Sequence, residues 1–164
     1  MRKVMILLLA PVFVSTHTVE PLEICYEETV TELKPKDIPV VVSERDLVSA
    51  LILVESRGND SAIGDRHLVG NEAVGALQIR PIMVREVNRI LKIQKSDKRF
   101  KLSDRFDREK TIEMFMIWKN FHHKDSDFET IARNWNGGPR GYKRKSTLRY
   151  WNKVQKELDT ITIR

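Results

Sequence analysis

The run Leu47-Val48-Ser49-Ala50-Leu51-Ile52-Leu53-Val54-Glu55-Ser56 constrains the fold more than any other stretch, because it is apolar almost throughout and stops abruptly. At helical spacing Leu47, Leu51 and Val54 share one face, and Val48, Ile52 and Glu55 share the next. The rest of the chain is expected to be organised around this helix. Ser43 is placed to cap its start, with Asp46 three residues on forming a capping-box-like pair. Gly58 is a natural residue just past its end, which puts Glu55 in the last turn. There the carboxylate meets the negative end of the helix dipole among apolar neighbours, and both effects favour its protonated form. Such a group suits proton donation near neutral pH. The plainer alternative makes Glu55 the first exposed residue after a buried helix.

With 164 residues and 41% hydrophobic content, the chain can bury a core as one domain plus a tail. The tail is N-terminal. Arg2 and Lys3 precede an eleven-residue apolar run, Val4 to Val14, which is too short to span a bilayer and reads as a signal peptide over about residues 1–16. Ser15 and Thr16 offer no clean cleavage site, so a retained N-terminal anchor is the alternative. The protein is therefore expected to be periplasmic or secreted, with no stable membrane span after processing. Residues 17–43 contain Pro21, Pro35 and Pro39 without helical periodicity and read as a linker or arm. The single cysteine, Cys25, rules out an intrachain disulfide framework. Residues 1–43 carry a net charge of −2, which leaves +8 on residues 44–164. A basic domain favours a polyanion, and with an export signal an anionic wall polymer fits better than nucleic acid. Five of its cations, Arg140, Lys143, Arg144, Lys145 and Arg149, fall within ten residues.

Past Glu55, residues 58–75 are rich in Gly, Asn, Asp and Ser and predict an ordered surface loop or small irregular hairpin. Apolar periodicity then predicts a helix from about Ile82 to Leu91. Asp107 is placed to cap another through Ile112, Phe115, Met116 and Lys119. Asp125-Ser126 should start a fourth helix that runs into Asn134-Trp135-Asn136-Gly137-Gly138-Pro139. A last helix from about Ser146 to Leu158 carries Tyr150, Trp151, Val154 and Leu158 on its apolar side. The pattern is mostly α, with long loops after the first and fourth helices.

Four segments in this order carry a resemblance. Glu55-Ser56 with Asn59 and Ala62, Gly75-Ala76-Leu77-Gln78-Ile79-Arg80-Pro81, Asn134 to Pro139, and the helix from Thr147 to Val154 together resemble the lysozyme-like superfamily. They look most like its lytic transglycosylase domain of the soluble-transglycosylase type, over about residues 44–158. The resemblance implies a lysozyme-like helical domain, residues 44–164, with long active-site loops. It departs from the family at Trp135, where a tyrosine is usual, at Ala76, and in the length of the loop from Gly64 to Val74.

The resemblance implies an enzyme, a peptidoglycan lytic transglycosylase. Glu55 would act as acid and then base on the bond between N-acetylmuramic acid and N-acetylglucosamine, and the sugar's own C6 hydroxyl would close a 1,6-anhydro ring. Ser56, Gln78, Trp135, Asn136 and Tyr150 would bind the strand or support Glu55. Each has a plainer alternative: Ser56 bonding the helix end, Gln78 fastening a loop, Trp135 and Tyr150 packing in the core. Asp60 and Asp65 are candidate second carboxylates for a hydrolytic lysozyme, or simply loop-turn residues. His122-His123 reads as a solvated helix end. The sequence holds no metal-ligand cluster and implies no cofactor. Peptidoglycan glycan strands are the expected partner, nucleic acid is not expected, and the protein is expected to be a monomer. A non-catalytic wall-binding protein of the same fold is the alternative from another class.

Overall fold

The computed structural model describes residues 41–163; the expected signal peptide, Cys25 and the arm up to residue 40 lie outside the described residues. Five α-helices dominate: α1 Glu44–Ser56, α2 Pro81–Ile93, α3 Arg108–His122, α4 Phe128–Gly137 and α5 Leu148–Thr162. Among the described residues the sheet is one hairpin of two-residue strands, β1 Ile63–Gly64 and β2 Ala73–Val74, with Ile63 opposite Val74. The mostly α expectation holds. No described helix is long and apolar enough to cross a membrane.

Helix α1 begins as its sequence dictates. Ser43 Oγ accepts from the Asp46 amide at 3.3 Å, and Asp46 Oδ2 accepts from the Ser43 amide at 2.8 Å. Two amides that the helix start would otherwise leave unpaired are thereby satisfied. Leu47, Val48, Ala50, Leu51 and Ile52 are all buried, so both apolar faces are covered. They share one core with Ile131 and Ala132 of α4, Met114 and Phe115 of α3, and Val154 and Leu158 of α5. Burying each large aliphatic side chain there contributes about 1.5–3 kcal/mol. Val42 packs on this core from the end of the arm, while Val41 beside it is exposed.

The exit from α1 places Gly58 just past the C-cap, as expected, with the left-handed backbone starting one residue earlier. Arg57, not Gly58, is the first left-handed position, at φ 56°, and Gly58 follows at φ 81°. The amides of Arg57 and Gly58 donate to the Leu53 and Ile52 carbonyls at 3.1 and 3.4 Å, closing the helix end. Other boundaries shift for equally local reasons. Asp127, rather than Asp125-Ser126, caps α4, because its carboxylate accepts from the Thr130 amide at 2.7 Å while Ser126 Oγ is engaged with His123 Nδ1. Helix α5 starts at Leu148 rather than Ser146, since Lys145–Thr147 winds as a 3-10 turn first.

Three arginines fasten the hairpin to its surroundings. Arg108 Nε bonds Asp60 at 2.9 Å and its Nη2 donates to the Gly58 carbonyl. Arg80 pairs with Asp65. Arg105 is buried and donates to the carbonyls of Leu102, Glu72 and Ile79 at 2.9, 3.0 and 3.1 Å. These bonds fix the loop that faces the end of α1.

Candidate functional site

Beside the C-terminal end of α1 lies a cleft of about 940 Å³. Glu55 lines it from α1, Gly64 and Asp65 from the hairpin, and Gln78 from the turn before α2. Helix α3 contributes Trp118 and His122, and the end of α4 contributes Asn134, Trp135 and Asn136. Five of the six residues singled out in the sequence therefore meet at this cleft: Glu55, Gln78, Trp135 and Asn136 line it, and Tyr150 is hydrogen-bonded to Glu55.

Glu55 is partly buried, and its carboxylate accepts a hydrogen bond from Tyr150 Oη at 2.7 Å. Burial is the main influence on it and pushes its pKa up to about 7; the Tyr150 bond opposes this and the Asp65 charge adds to it. Burial, then the neighbouring carboxylate, pushes Tyr150 well above its ordinary value, so the phenol stays a donor. The raised pKa agrees with the sequence expectation, and burial is its cause. Tyr150 is both of the things the sequence allowed, packed against the core and bonded to Glu55.

Ser56 takes the plainer role. Its hydroxyl donates to the Ile52 carbonyl at 3.2 Å, and it does not line the cleft. Gln78 fastens the hairpin, since its Nε2 donates to the carbonyls of Gly75 and Ala62 at 3.0 and 3.3 Å, and it lines the cleft as well. It sits at φ 48°, and Asp65, another cleft residue, at φ 50°. Left-handed backbone at two side chains with a Cβ is held there by the surrounding bonds. Asp65 is neutralised by Arg80 and Asp60 by Arg108, so neither is a free second carboxylate.

Trp135 is a wall of the cleft and a core residue at once. Its ring packs edge-on against Phe115 and Trp118, with centroids 5.0 and 5.1 Å away. Trp118 continues the aromatic wall to His123, at 4.7 Å. The histidine pair is not simply a solvated helix end. His122 Nε2 lies 2.7 Å from Glu86 Oε1, and His123 is buried with its pKa lowered by burial and by His122. Hydrogen bonds from Arg89, then from His122, hold Glu86 down at about 2, against the effect of its partial burial. Among the described residues no group of three or more side chains is placed to hold a metal ion.

Sequence reading missed Trp118, Asn134, Glu86 and the inward side of the histidines. Trp118 had a signal: it lies three residues after Phe115, on the same helix face. Glu86 and His122 are 36 residues apart, and only folding joins them.

No protein-family model and no curated protein matches this chain. Among solved structures, it is similar to the crystal structure of Aeromonas hydrophila PliI in complex with Meretrix lusoria lysozyme. The identity is 25% and the TM-score 0.55, over 70% of this chain and 89% of that one. This finding corrects the expectation of an enzyme: the likeness is to a structure of PliI in complex with a lysozyme, and neither a lytic transglycosylase nor a glycosidase activity is supported for this chain.

Proposed function

We propose that the chain is a non-catalytic cell-wall-binding protein with a lysozyme-like fold, and that its cleft holds the glycan strand of peptidoglycan. The observation that carries this reading is the content of one cleft of about 940 Å³: Trp135 offers a partly exposed ring backed by buried Trp118, Asn136 an exposed amide and Gln78 its amide oxygen. That volume lies within the usual range for ligand sites, roughly 300–1,000 Å³. N-acetylated sugars need an apolar face to stack on and neutral donors and acceptors around it. Glu55, with a pKa near 7, adds a carboxyl that is largely protonated below neutrality and able to donate to a sugar oxygen. Tyr150 positions it, and Ser56 is left out of contact. Hydrolysis of a glycan usually needs two carboxylates across the bond, and Asp60 and Asp65 are both tied to arginines. The similarity to a protein recorded with a lysozyme also favours a binding role.

Wild-type protein should be retained on purified sacculi and release no soluble muropeptides, read by mass spectrometry of the supernatant. Released fragments would overturn the non-catalytic reading, and lack of retention would overturn the cleft assignment. Trp135→Ala should weaken chitooligosaccharide binding by about 1–3 kcal/mol, by analogy with stacking on ligand rings. Trp135→Tyr should recover much of it. Thermal midpoints of both variants separate lost stacking from lost packing.

One observation favours a second reading. The similar structure holds PliI on a lysozyme, so the partner of this fold would be a lysozyme rather than the strand. Calorimetry against a lysozyme distinguishes them: heat of binding without sacculus retention would establish the protein partner.

A further inference from the structure

Directly after the cleft lip at Gly138-Pro139, the chain makes two 3-10 turns, Gly141–Lys143 and Lys145–Thr147. On and beside these turns Arg140, Lys143, Arg144, Lys145 and, at the start of α5, Arg149 are exposed. Among the described residues none of these five forms an ion pair, whereas Arg80, Arg89, Arg108 and Arg133 all do. Five cations so close repel one another, yet the backbone that carries them is held firmly from below. Buried Arg133 donates to Thr147 Oγ1 at 3.0 Å and to the Arg144 carbonyl at 3.2 Å. Buried Thr147 in turn donates to the Gly141 carbonyl at 2.7 Å, and buried Asn134 accepts from the Tyr142 amide at 2.9 Å. A methyl at Gly141 would overlap the Arg133 carbonyl oxygen, so the first turn lies directly on α4. The ammonium of Lys143 sits over the Tyr142 ring, 5.4 Å from its centroid. The product is a rigid ridge of unpaired positive charge that starts where the cleft stops.

We propose that this ridge binds the carboxylates of the peptide stems on a glycan strand seated in the cleft, so that the protein prefers stem-bearing strands to bare ones. The inference rests on the cleft reading above and adds the chemistry that reading leaves open. Place decides the partner. A strand leaving the cleft past Gly138-Pro139 meets the cations next, and its stems carry the carboxylates nearest to them. Nucleic acid or an anionic membrane would engage the ridge without needing the cleft beside it.

The test compares a neutral chitooligosaccharide with a stem-bearing glycan strand of equal length, for wild type and for the triple variant Arg140→Gln, Lys143→Gln, Lys145→Gln. None of these three side chains lines the cleft. The variant should bind stem-bearing strands on the order of tenfold more weakly at low salt, given three exposed ion pairs of modest strength. That difference should shrink as ionic strength rises, and chitooligosaccharide affinity should stay unchanged. Unchanged affinity of the variant for stem-bearing strands overturns the proposal. So does equal affinity of wild type for the two ligands, or a loss confined to duplex DNA or anionic vesicles. If wild type binds neither glycan, the cleft reading falls first and this inference with it.

Discussion

Glu55→Gln is expected to stabilise the protein by about 3 kcal/mol above pH 7 and to leave it unchanged below about pH 4.5. The folded protein holds the Glu55 proton up to a pKa of about 7, against an ordinary value of 4.5. Between those values the folded state binds more protons than the unfolded one, so the carboxylate lowers stability progressively as pH rises. Below the window both states are protonated and the cost vanishes; above it both are ionised and the cost is complete. Glutamine is nearly isosteric, carries no titratable proton, and its carbonyl can still accept from Tyr150 Oη. Urea unfolding at pH 4, 6 and 8 checks this, with the gain appearing only at the two higher values. A gain that does not vary with pH, or a loss at pH 8, would show that burial does not govern this carboxyl. Tyr150→Phe gives the complementary result. Without the phenol's hydrogen bond, which lowers the Glu55 pKa, the upper edge of the window should move above pH 7.

A carboxylate that lowers stability, half-buried at the wall of a cleft, fits the binding role proposed for it and not a role in folding. The same logic separates what was legible in the sequence from what was not. Local features read well. The Ser43–Asp46 capping box, Asp107 at the start of α3 and the apolar side of α5 all follow from short-range spacing. The start of α4 did not, because Asp125-Ser126-Asp127 offers three capping side chains in succession. The choice among them is made by His123, which takes Ser126, and His123 comes from the helix before. Lys119 was legible only as a position along α3, and its side chain is buried and paired with Glu44 at the start of α1. Ion pairs between residues 75 positions apart leave no periodic trace.

The cleft was legible in part for the same reason. Glu55, Gln78, Trp135 and Asn136 stand in segments with recognisable order, and folding does bring them to one cavity. Residue identity, however, carries position more faithfully than activity. Resemblance of four short segments implied a bond-breaking enzyme. The likeness to a structure of PliI in complex with a lysozyme overturns that expectation. The pairing of Asp65 with Arg80 and of Asp60 with Arg108 was likewise hidden, because loop residues give no signal of which partner they meet.

Gly75→Ala should destabilise the protein by about 2–5 kcal/mol, and Gly58→Ala by only about 1–2 kcal/mol. Both glycines are left-handed, at φ 79° and 81°, so both substitutions carry the strain of placing a Cβ in that conformation. Their surroundings differ. At Gly58 a new methyl meets no atom within 4 Å, while at Gly75 it would overlap the Arg105 carbonyl oxygen. Arg105 cannot retreat freely, since its buried guanidinium is bonded to Leu102, Glu72 and Ile79. Gly75 cannot move either without loosening its amide from the Ala62 carbonyl or its carbonyl from Gln78. The collision therefore spreads into the hairpin that supplies Gly64 and Asp65 to the cleft, and glycan affinity should fall along with stability. Gly58→Ala should keep its affinity, because the position lies outside the cleft lining. Paired urea-unfolding and chitooligosaccharide-binding measurements on the two variants decide the matter. Equal stability losses would mean that backbone strain alone sets the cost and that the turn around Gly75 yields to an added methyl, in which case Arg105 is not the rigid support of the cleft wall.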